Sequence, residues 1–341
     1  MKPLVTICIP TYNSAAYIED TLRSLTKQTY ENIEIIIGDN ASDDNTKQLV
    51  EDYRLNHDSR VIYYKNDVNI GYAGNCNKLV SLARGDFISI YHSDDIYSDE
   101  IVRKQVDYLI RNKEVAGCFT NYMTIDSNGN EKKNRHLKLF DIFKKKEIKF
   151  NYLEAVNSIV ESGCNPFFCP SSMLRKSAYD LSGGYDEKIK YIEDQDLWIR
   201  ILEKNNLSVI NEKLVKYRIH PQQGSAIYTD TSRVSDSPMI IHISEHLISK
   251  YGLETYEKKY KIKIDRLKAA DALRFAFYIV KKEEGGTYES YKTLIFRSKD
   301  NYIFGFKDTR YLRFAIFQLL PVFVSYPILK LLSFSTPFLK A

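Results

Sequence analysis

The chain has 341 residues, of which 44% are hydrophobic and 27% are charged, and its formal net charge is +5. This composition is that of a soluble globular protein rather than a disordered chain, and the length predicts two domains, each with its own core. The five cysteines form no CxxC pair, which favours a reduced, cytoplasmic compartment and argues against a structural zinc site.

The charge is spread unevenly along the chain. Residues 250–341 hold 18 Lys and Arg against 9 Asp and Glu, whereas residues 1–249 hold 31 against 35. No motif of a nucleic-acid-binding fold accompanies the basic part, so we expect an anionic membrane surface as its partner and no nucleic acid. Residues 1–10 lack the basic and apolar segments of a signal peptide, and the amino end is therefore expected in the cytoplasm.

Strand and helix patterns alternate over the first 122 residues. Short apolar runs predict buried strands at residues 4–9, 33–37, 61–64 and 87–91, the first broken by Pro10. Helical spacing of apolar residues follows the first three strands, at Ile18, Leu22 and Leu25, at Leu49, Val50 and Tyr53, and at Leu79, Val80 and Ala83. This alternation predicts an α/β fold with a mainly parallel sheet flanked by helices.

Polar residues follow three of these strands and are expected to meet at one edge of the sheet. Tyr12 offers a flat face, and Asp39 with its neighbour Asn40 offers groups for a base or ribose. Asp94 and Asp95 offer two oxygen donors for a divalent ion that holds a diphosphate, with Asp94 as the assigned ligand. The chain has neither a P-loop nor a dinucleotide fingerprint for that task. The alternatives are a core tyrosine for Tyr12 and an Asx turn for Asp94 and Asp95.

Further elements are predicted downstream. A helix covers residues 101–110, a strand covers 115–122, and a turn at 126–130 leads into a basic, irregular stretch that could be an acceptor-side loop. The helix carries a predicted buried stripe of Ile101, Val102, Val106, Leu109 and Ile110. A second strand is predicted at 171–175. The two glycines at 183–184 permit a tight turn.

The last third of the chain has helical spacing at residues 239–251 and 264–281. Residues 314–329 carry no charge, but 16 residues at about 1.5 Å each are too short for a hydrocarbon core of roughly 30 Å. We interpret this stretch as interfacial or re-entrant, and a helical hairpin packed on the preceding domain is the alternative.

Six short motifs carry a resemblance to a known family. They are IPTYN at residues 9–13, GDNASDD at 38–44, HSDD at 92–95, GGYD at 183–186, EDQDLWIR at 193–200 and YRIHP at 217–221. In this order the chain resembles family 2 glycosyltransferases of the bacterial surface-polysaccharide type, over about residues 1–225. The resemblance implies a GT-A fold, a nucleoside-diphosphate sugar donor with a UDP-sugar foremost, a Mn²⁺ or Mg²⁺ ion, and inversion at the anomeric carbon.

The resemblance also implies roles for particular residues. Donor binding falls to Pro10, Thr11, Tyr12, Asn13, Asp39, Asn40, Asn77, Asp94 and His220. Asp94 and His220 are the expected metal ligands, although a structural role for His220 is equally open. His92 stands where the family usually has an acid, and we do not expect it to be a ligand.

Asp194 is the predicted catalytic base, because the resemblance puts the base there. An inverting transfer needs a carboxylate that takes the proton of the acceptor hydroxyl. The spacing around Asp194 places it in the first turn of a helix, where the helix dipole is expected to keep it charged. The alternative is that Asp194 only stabilises the helix through its dipole and has no catalytic role. Asp196 and Arg200 are expected to support the site.

The predicted domains are a GT-A catalytic domain at residues 1–228 and a helical, basic, membrane-associating region at 229–341. Within the first, residues 1–122 form the nucleotide-sugar half and 123–228 the acceptor half. The expected function is sugar transfer to a hydroxyl of a lipid-linked glycan, such as a polyprenyl-diphosphate-linked acceptor, in surface polysaccharide, O-antigen or capsule assembly. The protein is expected to be cytoplasmic and peripheral on the inner face of the cell membrane. The alternatives are a non-catalytic nucleotide-sugar or glycan-binding protein and a sugar nucleotidyltransferase.

Overall fold

The computed structural model describes residues 2–132, 145–162, 165–190, 192–224, 238–261 and 263–265. These residues form two compact units, the first comprising residues 2–158 and 165–220 and the second residues 159–162 and 221–265 with the gaps just named. The domain boundary predicted at residue 228 lies outside the described residues.

The first unit contains a mixed sheet of ten strands among the described residues. The strands are β1 (Val5–Thr11), β2 (Ile33–Asp39), β3 (Val61–Lys65), β4 (Phe87–Ile90), β5 (Ile96–Tyr97), β6 (Val115–Ile125), β7 (Glu131–Lys132), β8 (Glu147–Phe150), β9 (Ser172–Arg175) and β10 (Asn206–Arg218). Their order is β3-β2-β1-β4-β9-β6-β10-β5, with β7 beside β6 and β8 beside β10. The first four are parallel, β9 is antiparallel to both its neighbours, and β10 runs parallel to β6. The predicted α/β fold is confirmed.

Helices follow the strands as the spacing predicts. They are α1 (Ile18–Thr26), α2 (Thr46–Asn56), α3 (Gly71–Leu82), α4 (Ile101–Arg111), α5 (Tyr152–Ser162), α6 (Lys176–Ser182) and α7 (Glu193–Leu202), with a 3₁₀ turn at Cys169–Ser171. In α1 the residues Ile18, Leu22 and Leu25 are fully buried, because a spacing of three and four residues puts them on one face. Every residue of β2 is buried, as is usual for a strand in a sheet with covered faces.

Three details differ from the sequence-based expectations. β1 does not break at Pro10 but continues to Thr11: the β1–β4 pairing ends at Cys8, so the missing N–H of Pro10 falls beyond the last pair on that side. Asp39 is the last residue of β2 rather than part of a loop. Ile110 is 47% exposed, because it lies at the margin of the buried stripe of α4.

The described part of the second unit is helical, with α8 (Pro238–Tyr251) and α9 (Leu253–Lys259) separated by Gly252 at φ +79°. Ile243, Leu247 and Tyr256 are buried. The prediction for residues 239–251 is thus confirmed, whereas nearly all of 264–281 and the whole of 314–329 lie outside the described residues. Within the described ranges, no helix is both long and apolar enough to cross a bilayer.

Candidate functional site

Two loops follow β1 and β2 at the carboxyl edge of the sheet, and hydrogen bonds tie them together. Asn13 N donates to Ser42 Oγ at 2.9 Å, and Asn13 Oδ1 accepts the backbone N–H of Asp43 at 3.0 Å. Two more bonds run from Ser14 N to Thr46 Oγ1 and from Ala15 N to Asp44 Oδ2. The two loops therefore form one continuous rim.

Tyr12 lies in this rim and is 52% exposed, so it is not a core residue and its ring is open to a ligand. Pro10 and Thr11 precede it as the end of β1, and Thr11 is buried with its Oγ1 donating to Ile9 O at 3.0 Å. Asn13 has φ +49°, in the left-handed region that Asn tolerates better than most residues.

Asp39 is fully buried at the end of β2. Its Oδ1 accepts the N–H of Ser42 at 2.8 Å, its Oδ2 accepts the hydroxyl of Tyr63, and Lys65 Nζ lies 4.0 Å from Oδ2. Burial, and then the bond to Asp39, raise the pKa of Tyr63, which stays a hydroxyl donor at neutral pH. An ionised carboxylate has about four acceptor sites, so these contacts leave Asp39 capacity for a ligand N–H.

Asn40 uses both ends of its amide within the chain. Its Nδ2 donates to Asn69 Oδ1 at 2.8 Å and to Gly71 O at 3.1 Å, and its Oδ1 accepts from Ile70 N at 2.9 Å and from Asn66 Nδ2 at 3.2 Å. These bonds hold the segment that leads into α3 against the end of β2. The structure thus shows Asn40 organising a loop, and its contact with a donor stays a prediction.

The metal loop, residues 91–95, is brought to His220 by the pairing of β5 with β10. Because β5 begins one residue after Asp95 and is antiparallel to β10, Lys216 pairs with Ile96. His220 Nε2 consequently lies 3.0 Å from Asp94 Oδ2, as the two predicted metal ligands require. A bond of 2.7 Å between Ser14 Oγ and Ser93 Oγ joins this loop to the rim.

One potential ligand atom from each of His92, Asp94 and Asp95 lies within 4.8 Å of the other two. Asp95 is fully buried, its Oδ1 accepts the N–H of Arg218 at 2.9 Å, and its Oδ2 has no partner among the described residues. A buried carboxylate oxygen without a partner is costly unless a cation completes it. The donor set of carboxylates and imidazoles suits Mn²⁺, and its oxygens also suit Mg²⁺.

The two carboxylates of the metal loop titrate in opposite directions. Burial would raise the pKa of Asp94, but the hydrogen bond from His220 and the nearby imidazoles outweigh it and lower the pKa. Burial and the charge of Asp94 raise the pKa of Asp95 well above its usual range. A bound cation would favour the ionised form of both carboxylates.

Arg218 is a buried residue that connects the metal loop with three other parts of the first unit. Its Nε donates to Asp94 O at 2.8 Å, its Nη1 to Ser127 O at 3.1 Å, and its Nη2 to Asp20 Oδ2 at 3.2 Å. The guanidinium also lies 4.7 Å from the ring centre of Tyr17. Arg218 thereby fixes the backbone on which the ligand residues stand.

Asp194 lies in the first turn of α7, as predicted, but the dipole does not keep it charged. Desolvation by burial raises the pKa of Asp194 to about 7, and the charge of Glu193 adds to this, whereas the backbone N–H groups lower it by less. Burial raises the pKa of Tyr72 and of Cys169, and the charge of Asp194 adds to both shifts. A carboxylate with a pKa near the working pH suits a general base.

Asn77 joins α3 to the turn at residues 183–187. Its Nδ2 donates to Tyr185 O at 2.9 Å and to Glu187 Oε1 at 3.0 Å, and its Oδ1 accepts from Tyr185 N at 2.9 Å. Arg200 braces the same turn through Gly184 O at 2.8 Å. The donor contact predicted for Asn77 stays a prediction, since all its bonds in the described part of the chain go to this turn.

Comparison with known proteins decides the family. The model of the family "Glycosyl transferase family 2" matches residues 6–179. The chain belongs to glycosyl transferase family 2. An uncharacterized glycosyltransferase of Methanocaldococcus jannaschii is 30% identical over 263 residues, which cover 76% of this chain and 81% of that protein.

Two solved structures share the fold. S. aureus TarS 1–349 with UDP-GlcNAc has a TM-score of 0.54 and 18% identity, over 88% of this chain and 89% of the other. The mannosyltransferase PcManGT of Pyrobaculum calidifontis with GDP-Man and Mn²⁺ has a TM-score of 0.56 and 14% identity, over 97% and 88%. The α/β unit is thus a GT-A fold.

Sequence reasoning gave no role to two residues of the first unit, Arg218 and Tyr72. His92 was not counted as a ligand, and the structure places it beside Asp94 and Asp95. The signal for Arg218 was its position two residues before His220. Tyr72 carried no signal, because its contact with His92 depends on how α3 packs.

Proposed function

We propose that this chain is an inverting glycosyltransferase that moves a sugar from a nucleoside-diphosphate sugar to a hydroxyl of a lipid-linked glycan. The observation that carries the proposal is a carboxyl of near-neutral pKa, Asp194, in a chain of family 2 that also holds a cluster of side chains able to bind a metal ion, His92, Asp94 and Asp95. A binding protein would need the cluster but not the base.

For the donor we propose a UDP-sugar. The exposed ring of Tyr12 can stack on a base, and the carboxylate of Asp39 can accept the ring N–H of uracil. The solved relatives carry UDP-GlcNAc and GDP-Man, and both bases have a ring N–H for such an acceptor. The proposed donor contacts include Pro10, Thr11, Asn13, Asn40 and Asn77 as well.

A divalent ion, Mn²⁺ or Mg²⁺, would be held by Asp94 and His220, and when bound it neutralises the charge of the diphosphate. The chain offers no P-loop for that task. The unpartnered, buried Oδ2 of Asp95 supports the presence of a cation next to these ligands. The pairing of β5 with β10 keeps the ligand side chains together before any ion arrives.

The proposed chemistry is a single displacement. The acceptor oxygen forms a bond with the anomeric carbon as Asp194 takes the hydroxyl proton, and the bond from that carbon to the diphosphate oxygen breaks with its electron pair. Attack opposite the leaving group inverts the anomeric configuration. Asp194 is suited to this task because a base of pKa about 7 is ionised often enough to accept the proton and basic enough to attract it.

The proposed acceptor is a polyprenyl-diphosphate-linked or similar glycan of surface polysaccharide assembly, at the cytoplasmic face of the membrane. The basic balance of residues 250–341 supports attraction to anionic lipid. In this proposal residues 1–228 are the catalytic domain and residues 229–341 the peripheral membrane region.

The test is release of nucleoside diphosphate from a panel of UDP-, GDP-, CDP- and dTDP-sugars, with Mn²⁺ or with EDTA. We expect one donor to be turned over only with the ion, and NMR of the product to show inversion. Asp94→Ala should abolish release, and Asp180→Ala, on an exposed face of α6, should not. Donor binding without release or transfer would make the chain a binding protein, and full activity in EDTA would remove the ion from the proposal.

A further inference from the structure

His92 differs in chemistry from the acid that usually opens this motif. Imidazole is a softer ligand than carboxylate, and His92 lies with Asp94 and Asp95 in the group whose ligand atoms are within 4.8 Å of one another. Asp95, a member of this group, is fully buried, and its Oδ2 has no hydrogen-bond partner among the described residues. A cation would supply the missing partner. Two independent features therefore point to an ion that His92 can reach.

His92 is held in place from two directions. Its backbone N–H donates to Tyr97 Oη at 2.7 Å, and its Nε2 lies 3.2 Å from Tyr72 Oη. Tyr72 is itself positioned by Cys169 Sγ at 3.5 Å. Metal-binding imidazoles commonly use their second nitrogen for an outer hydrogen bond of this kind, which fixes the orientation of the ring. With Nε2 engaged by Tyr72, an ion bound by His92 would be held through Nδ1.

We propose that His92 is a ligand of the divalent ion and that it makes the site prefer Mn²⁺ to Mg²⁺. The inference rests on the proposed function, which supplies the ion and the nucleotide. Mg²⁺ takes oxygen ligands in a strict octahedron and gives up water reluctantly, whereas Mn²⁺ accepts mixed nitrogen and oxygen ligands. An aspartate at residue 92 would replace the nitrogen ligand by an oxygen ligand and so remove this reason for the site to prefer Mn²⁺. Tyr72 is the positioning residue that orients the imidazole.

The experiment measures ion binding directly on the full chain. Free Mn²⁺ is titrated by EPR with UDP present, and Mg²⁺ is added as a competitor, which yields both dissociation constants. We expect His92→Asp and His92→Asn to lower the preference for Mn²⁺ on the order of tenfold, the scale on which a metal site responds to loss of one orienting partner. His57→Asp, the same change at an exposed residue just after the end of α2, is the matched control. Thermal unfolding without metal confirms that each variant folds.

Pulsed EPR of bound Mn²⁺ separates His92 from His220. We expect ¹⁴N coupling in the wild type, a component of which is lost in His92→Asn and retained in His220→Asn. Tyr72→Phe should weaken Mn²⁺ binding by about tenfold while the coupling persists. An unchanged preference and unchanged coupling in both His92 variants would overturn the inference.

The same measurements distinguish this inference from the proposed function. If the wild type binds Mn²⁺ and turns over a donor while the His92 variants keep the preference and the coupling, only the inference fails. If the wild type with UDP binds no divalent ion, the metal part of the proposed function fails and the inference with it.

Discussion

At the scale of single residues, Asp194 illustrates a contest between burial and a helix dipole. A helix N-terminus stabilises a nearby carboxylate by about 0.3–1 kcal/mol when exposed. Loss of hydration acts in the opposite direction and is larger here, so the pKa rises to about 7. The residue gains basicity in exchange for being ionised only in part at neutral pH.

This pKa predicts a pH profile. Below about pH 7 Asp194 binds its proton and cannot accept another, so kcat/KM for transfer should fall about tenfold for each further pH unit. Asp194→Asn should lower transfer by about 10²-fold or more, with little change in donor affinity. Initial rates between pH 5 and 9, together with donor titrations, measure both.

The same shift has a consequence for stability. A folded pKa above the unfolded value means that the folded state binds the proton more tightly, so stability is lost as pH rises through about 7. Asp194→Asn should therefore unfold at a higher temperature than the wild type at pH 8.

Normal transfer by Asp194→Asn, with loss in Glu193→Gln or Asp196→Asn, would mean that another residue is the base.

Arg218 is expected to act through position rather than chemistry. Arg218→Ala leaves Asp94 O and Ser127 O without their donors and removes a buried cation, which should destabilise the fold by about 3 kcal/mol. Mn²⁺ binding should weaken as well, because the backbone of the metal loop loses its support. Urea unfolding and the EPR titration measure these effects. The exposed Arg23→Ala is the control, and equal loss in that variant would contradict a special role.

At the scale of elements, much of the candidate site lies where strands end and loops begin, and buried side chains hold those loops. Gly38 shows how closely the supporting elements approach: a Cβ there would lie 2.8 Å from Asn75 Oδ1 and from a side-chain carbon of Leu79 on α3. The glycine of the GDN motif is therefore required by packing, and it lets α3 press against the strand that ends in Asp39.

Asn40 provides the test of this arrangement. Asn40→Ala removes four hydrogen bonds, to Asn66, Asn69, Ile70 and Gly71, and the last three of these residues are exposed. We expect a loss of about 2 kcal/mol in the free energy of unfolding, since each hydrogen bond contributes about 0.5–1.5 kcal/mol net and the exposed partners can bond to water instead. Chemical denaturation measures the loss. Asn56→Ala, at the exposed end of α2, is the control, and a similar loss there would refute the argument.

At the scale of the whole molecule, the uneven charge predicts membrane association. The full chain should sediment with vesicles that contain anionic lipid and not with zwitterionic vesicles, and raising the salt from about 0.1 to 0.5 M should release it because screening shortens the range of the attraction. Co-sedimentation measures the bound fraction. Equal binding to both vesicle types, or none to either, would contradict the role given to the basic residues from 250 onward.

The amino-acid sequence by itself determined the local features of this protein. Strand and helix followed from the period of apolar residues, and the position of Tyr12, Asp39 and Asp94 after successive strands followed from the geometry of parallel sheets. Each of these depends on neighbours in the chain, which is why motifs and spacing could predict them. The extent of β1 was wrong by two residues, because Pro10 is tolerated only where pairing with β4 has already ended.

Only the tertiary structure decided the chemistry of the site. Asp94 and His220 are 126 residues apart in sequence, and the short pairing of β5 with β10 brings them within 3.0 Å. The raised pKa of Asp194 and the contact of Tyr72 with His92 likewise depend on distant segments that exclude water. Burial and long-range contacts depend on residues that are far apart in the sequence, so a local sequence pattern cannot predict them.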